Sequence, residues 1–192
     1  MALDSVVLFD AMAKVVAVGG GLLAAFMGIA EFRRANRQRH EDLRWKQAEM
    51  AKQCLDQVRA DPLAHAAMKM LDWAGLAYGL LDGGKTDAIG DVERRTALRV
   101  TDTVFDSRSD EGFIRDAYDA LFEWLERLEQ FVRIGLITFD DVEPFFNYYI
   151  GRMSSPGDYP VFKAFLDSYG YKLAASFLAR FAGWPASGAA TE

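Results

Sequence analysis

Residues 15–30 read VVAVGGGLLAAFMGIA, sixteen positions without a charge. At ~1.5 Å of rise per residue, a helix of that length spans about 24 Å. A bilayer core is roughly 30 Å thick. The gap closes if the helix begins near Val6, which adds VVLF together with Asp10 and Lys14. Those two side chains stand four apart on one helix face and can pair. Lys14 can also extend its stem towards the headgroups. The stretch is therefore expected to be a transmembrane helix, with residues 1–32 as a membrane anchor.

Three rival readings exist. A cleaved signal peptide would suit the small residues of Gly28-Ile29-Ala30. Against it, Arg33, Arg34, Arg37, Arg39 and His40 follow at once, and Asp10 is out of place in a leader's basic start. A buried helix of a soluble protein is the second rival. A phosphate-binding loop in VAVGGG is the third, but no G-x-G-x-x-G follows and no βαβ unit surrounds it.

Charge sets the expected orientation. The formal net charge is −6, unevenly spread. The basic residues Arg33, Arg34, Arg37, Arg39, Arg44 and Lys46 crowd behind the apolar run, opposed only by Glu41 and Asp42, and an acidic remainder follows. Positive charge marks the cytoplasmic flank. The expected site is the inner (plasma) membrane, with the N-terminus outside and the rest of the chain cytoplasmic. Arg33, Arg34, Arg37 and Arg39 are the expected contacts to anionic lipid. Within the run, Ala17, Gly21 and Ala25 form one line of small residues, and Gly20, Ala24 and Gly28 another. Such lines let helix backbones approach closely in lipid, so self-association into a homo-oligomer is expected there. Asp10 and Lys14 would line the axis of any pore.

Past the run, the pattern is helical throughout. Residues 33–60 contain neither Pro nor Gly and read as a juxtamembrane basic helix continuous with the span. Asp61-Pro62 marks a break and restart, since Asp caps helices and Pro suits their first position. A helix is expected from there to about Leu81, then a loop over 82–91, a short helix over 91–100, and irregular chain. The clearest pattern runs from Glu111 to Ile137, where Phe113, Ala117, Leu121, Trp124, Leu128 and Phe131 keep 3–4 spacing behind an Asp110 cap. Trp124 is expected in the core. Glu123, Glu126 and Glu129 read as a solvated face. Thr138 and Asp141 resemble a capping box opening a helix to about Met153. Pro160 opens a last helix to about Phe181, interrupted by Gly170. Residues 61–183 thus form the helical cytoplasmic domain, and 184–192 a disordered tail.

The segment WLERLEQFVRIGLITFDDVEPFFNYYI, Trp124 to Ile150, resembles an uncharacterised bacterial family of single-pass membrane proteins with a basic helix and a helical cytosolic domain. The layout as a whole is similar to that of the small membrane accessory proteins of RNA-targeting type VI CRISPR systems. That second likeness implies a membrane-perturbing defence or stress effector. Neither likeness implies catalytic residues.

The candidate chemistry is sparse. Arg34 and His40 match the R-x(4–6)-H spacing of HEPN-type ribonucleases, in which Arg and His act on a phosphodiester. The local density of arginine makes such a match by chance nearly assured, and Ala35 stands where that family has a polar residue. Two histidines and one cysteine leave too few ligands for a closed zinc site, so neither metal nor cofactor is expected. His65 and Cys54 read as packing residues. Asp140, Asp141 and Glu143 cluster where acids favour a helix N-terminus. Phe145, Phe146, Tyr148 and Tyr149 read as core, with a recognition surface as the alternative. The domain around them is acidic, which disfavours nucleic acid. The sequence thus describes a mainly α, non-enzymatic, membrane-anchored protein acting through protein contacts. A membrane-tethered ribonuclease and a soluble helical adaptor are the alternatives.

Overall fold

The computed structural model describes residues 2–79, 84–102, 105–106 and 108–185, with side chains described at 27–29 and from 31 onward. The described residues form helices α1 (Ala2–Ala60), α2 (Pro62–Asp72), α3 (Asp91–Ala97), α4 (Asp110–Arg133), α5 (Phe139–Met153), α6 (Tyr159–Tyr169) and α7 (Lys172–Leu178). The mainly α expectation holds. The chain divides into two compact units, Met1–Lys46 and Gln47–Glu192.

The first unit is helix. Among the described residues no helix is long and apolar enough to cross a membrane. Most of the expected span falls on residues whose side chains lie outside the described set, including Asp10, Lys14, Ala17, Gly20, Gly21, Ala24 and Ala25. Gly28 is described and exposed, and a Cβ added there would meet nothing within 4 Å.

The second unit is built around α4. The last turns of α1 bury Ala51, Cys54 and Val58, a 3–4 stripe that carries the helix into the core. Helix α4 packs against α2, α3 and α7, burying Phe113, Ile114, Ala117, Tyr118, Leu121, Phe122, Leu125 and Leu128. Aromatic rings fill the space between helices. Phe122 meets Phe162 edge-on at 6.2 Å and tilts against Tyr171 at 5.4 Å. Phe139 meets Phe181 edge-on at 4.9 Å. Such pairs add about 0.5–1.5 kcal/mol each beyond their buried area.

Several ends form as the sequence indicates. The Asp61 carboxylate caps α2, and Pro62 occupies its first turn. Asp141 Oδ2 accepts from the Thr138 hydroxyl at 2.6 Å, at the start of α5. Gly170 takes φ +83 between α6 and α7, a left-handed conformation that glycine adopts without strain.

Other expectations need correction. Helix α2 stops at Asp72, not near Leu81. Gly75 turns the chain with φ +84, and the following segment pairs antiparallel with 85–89 through isolated bridges at Leu76–Ile89 and Gly79–Lys85. Gly75 N–H donates to the Ile89 carbonyl at 2.7 Å. Those long-range bonds outweigh the local helix preference of Ala74 and Ala77. The cap of α4 is Ser109, whose hydroxyl accepts from Gly112 N–H at 3.0 Å, and Asp110 is the first helical residue. Glu129 does not face solvent: it is 1% exposed and accepts from Arg133 Nε at 2.7 Å and from Arg180 Nε at 2.7 Å. Trp124 is only half-buried. Residues 186–192, most of the expected tail, lie outside the described set.

Candidate functional site

The basic block lies in the first unit. Arg33, Arg34, Arg37, Arg39 and His40 are all exposed on α1. With ~3.6 residues per turn, Arg33, Arg37, His40 and Arg44 fall along one side of the helix. Exposed Ile29, Phe32 and Leu43 fall on the adjoining side. Arg34 and His40 sit six apart, about 240° around the axis and ~9 Å along it.

The second unit holds its charge in two clamps. Arg94 is 1% exposed. Its Nη1 donates to the Met70 carbonyl at 2.8 Å and lies 2.9 Å from Asp91 Oδ1, and its Nη2 donates to Asp158 Oδ1 at 2.8 Å. Arg95 Nε reaches the same oxygen at 2.8 Å, and Ser155 donates to Oδ2 at 2.9 Å. Burial alone would raise the Asp158 carboxyl, but its bonds to Arg95 and Arg94 outweigh it and hold the group below the usual range. The same balance lowers Glu129, between Arg180 and Arg133. Gly157 lies so close to Arg95 that a Cβ there would stand 2.8 Å from Nη2. These bonds tie α3 to the start of α6 and α4 to the turn after α7.

A cavity of about 420 Å³ opens beside α2, within the size range of small-molecule sites. Helix α2 lines it with Pro62, Leu63, His65, Ala66 and Lys69, behind the Asp61 cap. The turn after α2 adds Tyr78 and Gly79, and α4 adds Phe113. The Tyr78 and Phe113 rings lie 5.8 Å apart. The Tyr78 hydroxyl is buried and has no hydrogen-bond partner among the described residues. Burial raises its pKa above that of an ordinary phenol, so it keeps its proton as a donor. His65 Nδ1 lies 3.1 Å from the Arg59 carbonyl. A carbonyl oxygen can only accept, so Nδ1 carries the proton and Nε2 is left for other contacts.

Of these residues the sequence marked Asp61 and Pro62 as a helix start, Phe113 as part of a core stripe and His65 as packing, and none as a binding residue. The signal at this cavity was His65 and Lys69 four apart on an Ala- and Met-rich helix. Tyr78 was missed because its segment read as helix. Cys54 is buried, which pushes its thiol up and away from the reactive thiolate. Phe146 is core, Phe145 and Tyr149 pack partly against it, and Tyr148 is exposed. Tyr148 donates to Asp72 Oδ1 at 2.8 Å, and Trp73, 61% exposed, donates to Oδ2 at 2.6 Å. Among the described residues no group of three or more His, Cys, Asp or Glu side chains could hold a metal ion.

No family model matches the chain, and neither a curated protein nor a solved structure matches it.

Proposed function

We propose that this chain is a non-enzymatic, single-pass membrane protein. In this reading the first part of α1 is the anchor, and the second unit acts in the cytoplasm through protein contacts, within a homo-oligomer. The observation that carries the reading is one unbroken helix, Ala2–Ala60, that takes in the charge-free run and then an exposed basic block. A helix satisfies its own backbone groups, which a segment crossing lipid must do. Each of Arg33, Arg34, Arg37 and Arg39 would add about 1 kcal/mol of attraction to an anionic leaflet. Exposed Trp73 and Tyr148, both held by Asp72, give the second unit an aromatic surface of the kind found at protein interfaces.

Carbonate extraction of cell membranes, with reporters fused after Glu192, tests the proposal. The protein is expected to stay in the pellet, and a reporter that works only in the cytoplasm is expected to be active. Release by carbonate would remove the anchor, and activity of a periplasmic reporter would reverse the orientation.

A further inference from the structure

We propose that residues 29–46 of α1 form a docking face for an acidic amphipathic helix of another protein, which lays its apolar side on Ile29, Phe32 and Leu43 and its carboxylates against Arg33, Arg39 and Lys46. This gives the first unit a partner, which the reading above does not, and its choice of protein over lipid rests on that reading.

The face follows from helix periodicity. At about 100° of rotation per residue, Ile29, Phe32, Asn36 and Leu43 share an arc of about 60°. Ile29, Phe32 and Leu43 are 54%, 66% and 58% exposed. Cations frame this stripe. Arg33 lies on one side and Arg39 and Lys46 on the other, each exposed and within about 70° of the stripe's centre. The acids of the segment, Glu31, Glu41 and Asp42, lie about 110–150° away from that centre. The matching partner has the inverse layout, an apolar stripe edged by carboxylates, and an amphipathic helix presents one. Its apolar side would cover Ile29, Phe32 and Leu43. Its carboxylates would speed the encounter and fix the orientation. Asn36 interrupts the stripe, and a polar residue inside a helix seam sets register at some loss of stability.

Other occupants fit less of the face. In the membrane reading the helix leaves the bilayer near Ala30 and runs on unbroken to Ala60. Leu43 then stands about 20 Å beyond Ala30, while the headgroup layer of one leaflet is only about 5–8 Å deep. Lipid reaches the near end of the face but not Leu43 or Lys46. A nucleic acid would meet the cations and leave Ile29, Phe32 and Leu43 in water. A second copy seated on the same face would bring Arg39 and Lys46 against like charges, which opposes association.

The test uses the full chain in non-ionic detergent. The probe is a fluorescein-labelled peptide of about four heptads with Leu at a and d and Glu at e and g, and the comparison is the same peptide with Lys for Glu. Binding is read by fluorescence anisotropy. The acidic peptide is expected to bind about tenfold more tightly than the basic one. Leu43→Ser should weaken it about tenfold. Arg39→Glu with Lys46→Glu should abolish the preference for acid. Trp45 is exposed but lies about 170° from the stripe's centre, so Trp45→Ala should leave the affinity unchanged. Equal binding of the two peptides, an unchanged affinity in Leu43→Ser, or an equal loss in Trp45→Ala would each overturn the proposal. Loss of the acidic peptide in nanodiscs of anionic lipid, but not in zwitterionic ones, would give the face to lipid instead. Tighter binding of oligothymidylate would give it to nucleic acid, and an oligomer that dissociates in Leu43→Ser would give it to a second copy. Carbonate extraction reports on the anchor separately, and peptide binding in detergent does not require insertion.

Discussion

The Trp124 indole N–H donates to Asp61 Oδ2 at 2.9 Å, across sixty-three residues of sequence. The other oxygen of that carboxylate takes the first amides of α2. One side chain thus fixes the start of α2 and joins it to the middle of α4.

Replacing Asp61 should therefore cost more than an ordinary cap. A lost N-cap is worth about 1 kcal/mol, and a hydrogen bond to a charged acceptor about 1.5–3 kcal/mol. The site is half-buried, which favours the lower end. Asp61→Ala is expected to lose about 2–3 kcal/mol in urea unfolding, and Asp61→Ser, which keeps a cap acceptor, to recover about 1 kcal/mol. A loss under about 0.5 kcal/mol for the alanine variant would mean the carboxylate holds neither element.

Acid should loosen the second unit through Asp158 and Glu129. Both carboxyls titrate below their usual range when folded, so the unfolded chain takes up protons first. Their stabilisation is complete above the unfolded values near pH 4 and disappears as pH falls through the lower folded values. Asp116 and Asp119, raised mainly by burial, work in the opposite sense. The urea midpoint, followed from pH 6.5 to pH 3, should fall. Asp158→Asn and Glu129→Gln should each start lower and show a shallower fall. A variant as steep as the parent would show that its carboxyl is not the source.

Self-association, if it runs through α1, should depend on its small residues. Lipid offers helices little hydrophobic drive to associate, so backbone proximity has to supply it. Gly20→Leu and Gly21→Leu are expected to shift the detergent-purified protein towards monomer in sedimentation while leaving its membrane insertion intact. A parent protein that is already monomeric would dispose of this oligomer.

Much of the helical order is legible because its causes are local. The stripe from Phe113 to Phe131 repeats at helical spacing. Thr138–Asp141 and Asp61–Pro62 carry their caps within four residues. What escaped the sequence depends on partners far along the chain. Ala74, Leu76 and Ala77 favour helix locally, yet Ile89 pairs with Gly75 and Leu76 and pulls that segment out of α2. Glu129 sits among surface-patterned acids, and beside the local Arg133 its second partner is Arg180, fifty-one residues on. Ser109 and Asp110 are neighbouring good caps, and helical pattern alone does not choose between them. The cavity beside α2 was invisible for the same reason, since Tyr78 reaches it only after the chain turns at Gly75.

The Arg94 guanidinium draws its acceptors from Met70, Asp91 and Asp158. Chain growth delivers the first two early and the third late. A nascent chain that has emerged only through α4 therefore holds a cation where the finished unit keeps it dry, with its principal counter-charge not yet made. Burying such a charge unpaired is strongly unfavourable. Assembly on the ribosome should consequently stall before core closure and finish abruptly once α6 appears. Arrested chains ending before Asp158 should stay protease-sensitive, and those extending past Phe181 should become resistant. Protection already complete in the shorter chains would rule out this ordering.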